Sequence, residues 1–444
     1  MAGDGLGRRV APVLANKYKI IRMEIVNPKK VIKYIDLCSG IGGFRIAINN
    51  MSHICDAKCV LSCDIKQSAI DTYNLNFNEQ NEKTNIYDLK AEEIENFDLL
   101  CAGFCCQPFS TAGNKKGFSD DRGGIIFKII ELCKYHRPKY VFLENVFNLI
   151  TINNGECIDR ITTLFEELGY FVNYKKLNSK DFGLPQDRQR VYIVCCLDKK
   201  ICFDNCVPQL PRLKIKDIID YTDRNSKIDK SFTDKLLELH KKKHIFGCKI
   251  GDKRGGDSNI HSWDLSYSGQ INQDETRLMN QILLERRKKH WADAKDIDWM
   301  DGMPLTTSEI ETFNHSQNLQ QMLDNLVLLK YLRLEKCKEI VNGKREYKED
   351  SEEGYNICKG KLSFPISKIL DPEDVAPTLT ATDSSKLALI IDENTIRQIN
   401  RKEIKKICGF PDTFEIPDNV NYFDLFGNMA TPPVLEAILR VMLV

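Results

Sequence analysis

From Val31 onward, short β-branched runs alternate with segments whose apolar residues recur at helical spacing. VIKYIDLC (31–38), CVLSCDI (59–65), FDLLCAGF (97–104), YVFLENV (140–146) and RVYIVCCL (190–197) predict strands. RIAINNM (45–51), SAIDTYNLNF (68–77) and IIFKIIELCKYH (125–136) predict helices between them. Strands alternating with helices predict an α/β fold, a doubly wound and mostly parallel sheet covered on both faces. Sheets of this kind take ligands at the carboxyl ends of their strands.

After about Asp204 the alternation fades. Residues 205–384 are polar, irregular and locally basic, with HKKKH at 240–244, DKRGG at 252–256 and LLERRKKHW at 283–291. Compact apolar patterning returns in NTIRQINRKEIKKICGF (394–410) and LFGNMATPPVLEAILRVML (425–443). The reading is one α/β domain, 31–204 and 385–444, interrupted by a smaller irregular domain over 205–384. Residues 1–30 differ in composition and read as a flexible extension without an assigned function.

Composition narrows the classes. The 444 residues are 42% hydrophobic and 29% charged, the balance of a soluble globular chain. No apolar stretch approaches the roughly 18 residues that a membrane span needs. Lys plus Arg (64) nearly cancel Asp plus Glu (63), so any nucleic-acid site must come from local clustering. Seventeen cysteines, an odd number scattered through apolar segments, argue for reduced thiols inside a cell. Cys55, Cys59 and Cys63 recur every fourth residue, as do Cys202 and Cys206, but neither group has the second ligand pair of a zinc site. They read as small buried apolar residues, and no metal is expected.

Chemistry first shows at the glycine turn. The run ending at Asp36 is followed by Gly40, Gly42 and Gly43 and then a helix, an arrangement in which backbone approaches a ligand with no Cβ in the way. About twenty residues past the turn, Asp64 closes the next strand, where an acid can bond a ribose diol. The pattern points to a nucleoside-bearing ligand, with an ordinary tight turn still open. It is not G-x-G-x-x-G, so a nicotinamide dehydrogenase fits poorly.

DLCSGIGGF (36–44), GFCCQPFSTAGNKKGFSDDRGG (103–124), FLENV (142–146), DFGLPQDRQRVYIV (181–194) and FGNMATPP (426–433) stand in this order. Together they resemble the C5-cytosine DNA methyltransferase family. The resemblance covers 31 to about 200 and about 385 to 444, and implies a Rossmann-like methyltransferase sheet with 205–384 as the target-recognition domain. It further implies transfer of a methyl group from S-adenosylmethionine to carbon 5 of cytosine, through a transient cysteine adduct at carbon 6 of a base flipped from the duplex.

The resemblance assigns roles by register. Gln107 and Pro108 make Cys106 the nucleophile and place Cys105 where the family usually has proline, which leaves the loop less preorganised. Glu144 would hydrogen-bond or protonate N3 of the base, and Asn145 would position the nucleophile loop. Arg188 and Arg190 would neutralise charge near the base carbonyl and that loop, with Gln186 supporting them. Residues 110–124, including Arg122, would form a mobile lid. For the cofactor the resemblance implies the Ser39, Gly40, Gly42, Gly43 turn, Asp64 at the ribose, Ile65 beside the adenine, Asn85 (or nearby Asp88) at the adenine amine, and Asn428 returning to the pocket. Met429 follows where a small polar residue is usual.

The implied partners are double-stranded DNA and a cognate restriction endonuclease, with the protein a monomer acting inside the cell and away from membranes. The basic stretches between 240 and 291 suit phosphate contacts. Trp263, Tyr267 and Trp291 read as core or contact residues. Two alternatives stay open: a tRNA cytosine methyltransferase, although the Cys-Phe-Thr tripeptide usual there is missing, and a catalytically weak DNA-binding relative. The target sequence cannot be read.

Overall fold

The computed structural model describes residues 31–104, 124–204, 206–208, 210–252, 259–299, 302–358 and 364–444. Its first half is a six-stranded sheet. Strands β1 (Val31–Leu37), β2 (Asp56–Cys63), β3 (Leu99–Gly103), β4 (Tyr140–Val146) and β5 (Phe171–Asn178) precede a short β6 (Gln186–Asp187) and β7 (Gln189–Cys196). The order is β2-β1-β3-β4-β7-β5. β2, β1, β3 and β4 pair in parallel, while β7 runs antiparallel to both β4 and β5. Helices α1 (Gly43–Asn50), α2 (Gln67–Phe77), α3 (Gly124–His136) and α4 (Glu156–Glu167) connect the strands.

Both faces of the sheet are buried, and alternate residues of each strand serve opposite layers. Ile35, Leu37, Leu100, Ala102, Val141 and Leu143 pack under α3 and α4, where Ile126, Ile129, Leu132, Ile158 and Ile161 recur at helical spacing. Burying each of these large side chains stabilises by about 1.5–3 kcal/mol. Tyr34, Leu99, Cys101, Phe142 and Val194 face α1 and the helix Pro432–Leu443. The C-terminal segment is thus part of the first layer. A Cβ on Gly43 would lie 2.2 Å from the Ala430 carbonyl oxygen, so only glycine lets the two segments meet.

Every predicted strand and helix of this half is present within a few residues. α4 and β5 are additional. β5 holds buried Val172 and Leu177 but also exposed Lys176, and as an edge strand it lacks the continuous apolar run of its neighbours.

The middle segment has cores of its own. Helices Gln273–Glu285 and Leu319–Leu328 bury Leu278, Ile282, Leu283, Met322 and Leu326 with Trp263, Trp291 and the strand pair Leu332–Lys336 and Glu353–Ile357. A second, five-stranded sheet joins Asn259–Ile260, Lys249–Ile250, Lys368–Ile369, Leu387–Asp392 and Thr395–Gln398. This sheet runs across the boundary expected at residue 384, because the hairpin 387–398 continues the strand at 368. Trp263 and Trp291 are core, whereas Tyr267 is exposed beneath the Lys235 ammonium. Arg286, first of the basic run at 286–289, is buried on Asn356 and is not a surface cation. Cys55, Cys63 and Cys206 are buried as expected, but Cys202 is exposed with its thiol on Asp204. Among the described residues no helix is long and apolar enough to cross a membrane, and no group of three His, Cys, Asp or Glu side chains is placed to hold a metal ion.

Candidate active site

The chain turns from β1 to β2 on one side and to β3 on the other, so the carboxyl ends of β1, β2, β3 and β4 frame a crevice. At the end of β1 the backbone enters the left-handed region at Cys38, Gly40 and Gly42. The turn is pinned to β2. The Ser39 amide donates to the Cys63 carbonyl at 3.0 Å, the Ser39 hydroxyl reaches the same oxygen, and Gly40 N–H donates to Asp64 Oδ2 at 2.9 Å. The second Asp64 oxygen takes the Lys66 amide at 2.8 Å. A Cβ on Gly42 would fall 2.2 Å from the Phe77 ring, so α2 also requires glycine there.

Other expected cofactor residues gather around this turn. Ile65 is 60% exposed at the tip of β2. The Thr84 amide donates to the Asp64 carbonyl, bringing Asn85 beside β2, where its side chain accepts from the Tyr87 amide. Asp88 ends the same short helical turn, exposed. The Lys66 ammonium pairs with Asp424, and Asn428 donates to the Asp424 carbonyl and carboxylate, tying the C-terminal segment to the tip of β2. Carboxylate, turn amides and an exposed apolar side chain on one rim suit a ligand with a ribose and a flat base.

The structure also shows groups that sequence reasoning passed over. Asp36 lies under the turn, fully buried, and neither of its carboxyl oxygens has a hydrogen-bond partner in the structure. Burial pushes its pKa well up, Arg45 acting against this and Asp64 with it. Arg45, on α1, reaches Glu79 at 3.1 Å but leaves Nε and Nη1 unbonded, beside the equally unbonded hydroxyls of Tyr34 and Tyr73. The helical placement of Arg45 two residues after Gly43 was the available signal.

The second half of the crevice is built on β4. Glu144 pairs with Gly103 of β3 and with Tyr192 of β7, and Val146 pairs with Arg190. Two residues apart on one face, Glu144 and Arg190 are therefore neighbours, with Arg190 Nε 3.2 Å from Glu144 Oε1. The contact is out of line for a hydrogen bond, and Glu144 Oε1 has none. Burial raises the Glu144 pKa, opposed first by Arg190 and then by Arg188. A carboxyl so placed can hold a proton and give it to a base. Asn145 is buried and donates to the Phe104 carbonyl at 3.3 Å, immediately before the expected nucleophile loop. Cys105, Cys106, Gln107 and Arg122, with most of the expected lid, lie outside the described residues.

Arg188, whose charge acts on Glu144, spends its donors on main chain: buried to 3% exposure, it donates to the carbonyls of Leu379, Gly427 and Met429. Burial and the neighbouring Arg190 lower its pKa to about 10. Its main-chain acceptors leave no mark in the sequence. The Gln186 amide donates to the Ile407 carbonyl and Cys408 sulfur.

The family model of the C-5 cytosine-specific DNA methylase matches residues 32–443. The chain is 40% identical over 420 residues to the type II methyltransferase M.NlaIV of Neisseria lactamica, covering 92% of this chain and 97% of that one. Against M.NgoBV of Neisseria gonorrhoeae identity is 39% over 420 residues with the same coverage, and against M.BanI of Aneurinibacillus aneurinilyticus it is 33% over 432 residues, covering 92% and 95%. With these matches over nearly its whole length and a mostly parallel α/β sheet beneath them, the chain belongs to the C-5 cytosine-specific DNA methylase family and is a DNA (cytosine-5)-methyltransferase.

Proposed function

We propose that Cys106 is the nucleophile of this enzyme and Glu144 the acid that meets N3 of the cytosine. The observation that carries the assignment is the buried Glu144 with its raised pKa, paired in register with Gly103, three residues before Cys106. Carbon 5 of cytosine is a poor nucleophile. Addition of the Cys106 thiolate to carbon 6 moves an electron pair toward carbon 5 and N3, and a proton from Glu144 on N3 stabilises that charge. Once carbon 5 carries the methyl group that S-adenosylmethionine would supply, loss of the carbon-5 proton to a base restores the ring double bond and expels the thiolate, while N3 returns its proton to Glu144. Arg190 lies beside the Glu144 carboxyl and orients it. Arg188 acts as a positioning residue, holding the backbone of 427–429 against β6 and β7.

The turn Ser39, Gly40, Gly42, Gly43 with Asp64, Ile65, Asn85 and Asn428 would hold S-adenosylmethionine. When bound, that cofactor supplies an electrophilic methyl group. Double-stranded DNA is the substrate, a cognate restriction endonuclease the functional partner, and the cell interior the working compartment. Target cytosines must leave the stack to reach a carboxyl buried at the strand tips. In our reading 205–384 selects the target sequence, and 31–204 with 385–444 does the chemistry.

Duplex oligonucleotides carrying 5-fluorocytosine lack the carbon-5 proton whose loss frees the enzyme. With S-adenosylmethionine present they are expected to become covalently attached to the wild type and to Cys105→Ser, and not to Cys106→Ser. Attachment lost in Cys105→Ser alone overturns the register, and modification of tRNA but not duplex DNA overturns the substrate.

A further inference from the structure

Strands Lys338–Val341 and Lys344–Tyr347 form a two-stranded antiparallel ribbon that belongs to neither larger sheet. Its turn is Asn342-Gly343, both at positive φ (53° and 75°), the pair preferred by tight hairpins. An isolated hairpin is marginal in water. Here the base is held: Cys337 is buried, the Lys348 amide donates to the Cys337 carbonyl at 3.0 Å, and the Lys348 ammonium reaches the Lys295 carbonyl. The rest projects, with Ile340 46% and Tyr347 48% exposed.

The register sorts the side chains. Residues directly across an antiparallel pair share a face. Lys338 with Tyr347 and Ile340 with Arg345 occupy one face, while Glu339 with Glu346 and Val341 with Lys344 occupy the other. Among the ribbon's own residues one face therefore carries two cations and no acid, with Lys338 4.5 Å from the centroid of the Tyr347 ring, whose hydroxyl lies 3.5 Å from Glu335 Oε2 just before the ribbon. The other sets two glutamates opposite each other, an arrangement that destabilises a hairpin. The sorting is not explained by the stability of the ribbon, and it gives one cationic, partly aromatic face on an arm of the middle segment.

We propose that this ribbon is a DNA-contacting arm, laying its Lys338, Ile340, Arg345 and Tyr347 face on the phosphates that border a major groove. The inference rests on DNA being the substrate and adds the element that grips it. Charge complementarity selects the occupant: duplex DNA is a dense polyanion, and the glutamate face points away from it. Two strands about 4.8 Å apart, with their side chains, fit a groove about 12 Å wide.

The test compares Lys338→Ala/Arg345→Ala with Glu339→Gln/Glu346→Gln in the full chain. Methyl transfer to unmethylated mixed-sequence genomic duplex is followed with tritiated S-adenosylmethionine over a salt series. The Lys/Arg variant is expected to raise KM for DNA about tenfold and to lower the salt-dependence slope by about 2, the loss of two phosphate contacts. Its kcat at saturating DNA and its KM for S-adenosylmethionine stay at wild-type values, and its melting curve is unchanged. The Glu variant changes KM for DNA less than threefold. An unchanged KM and salt slope in the Lys/Arg variant, or equal weakening in both variants, overturns the arm. A wild type that methylates no duplex overturns the substrate reading instead.

Discussion

Two buried carboxylate–guanidinium pairs in this molecule differ in how completely they are satisfied. Arg397 and Glu403, exposed to 1% and 0% at their side chains, meet through two bonds of 2.6 and 2.8 Å. Every remaining site is taken as well: Arg397 donates to the carbonyls of Asp220, Asp223 and Gln398, and Glu403 accepts the amides of Asp220 and Asn400. Glu144 and Arg190 meet through one misaligned contact of 3.2 Å, and a carboxylate oxygen is left without a hydrogen bond. The first pair closes a joint between the start of the middle segment and the C-terminal helix Arg401–Cys408. The second keeps capacity in reserve, which is what a group that must bind a substrate atom requires.

That contrast can be broken by mutation. Glu144→Gln removes the proton donor and is expected to lower kcat by about 10²–10⁴, with S-adenosylmethionine affinity by calorimetry and the melting temperature close to wild type. Glu403→Gln should do the reverse, costing about 3–5 kcal/mol in urea unfolding because Arg397 is left buried without its counter-charge, while kcat per folded molecule holds. Arg188→Ala falls between them. Losing a charged donor to three carbonyls costs about 2 kcal/mol, and the loosened 427–429 backbone raises KM for S-adenosylmethionine more than it lowers kcat.

Asp36→Asn is the smallest change and has the opposite sign. Burial raises the pKa of Asp36 in the folded state, so the folded protein keeps a proton that the unfolded chain releases, and stability falls as pH climbs above the unfolded value of about 3.9. The Asn variant escapes that loss. Its melting temperature should exceed wild type by a few degrees near pH 8, a gain of about 1 kcal/mol, and the gap should narrow toward pH 5. A gap that widens with acid would show that Asp36 is ionised in the fold.

The first layer was readable because its strands are buried on both sides and its turns need glycine, so Val31–Leu37 and Gly40–Gly43 announce themselves. The Glu144–Arg190 pairing was legible as two motifs, and the sheet register brings them together. What stayed hidden depends on partners without side-chain signatures. Arg188 and Gln186 spend their donors on main-chain carbonyls nearly two hundred residues or more away. β5 mixes lysines with its apolar residues as an edge strand does, and the core around Leu278, Met322 and Tyr355 is assembled from short elements far apart in the chain.

The contact of Gly43 with Ala430 carries a consequence for biosynthesis. At ribosomal speeds of about 5–20 residues per second, the stretch between them takes roughly 20–80 s to emerge. Through that interval the nascent polypeptide lacks the wall that seats its glycine turn, and a truncated product ending before residue 430 is expected to leave DNA unmethylated in a tritium-transfer assay.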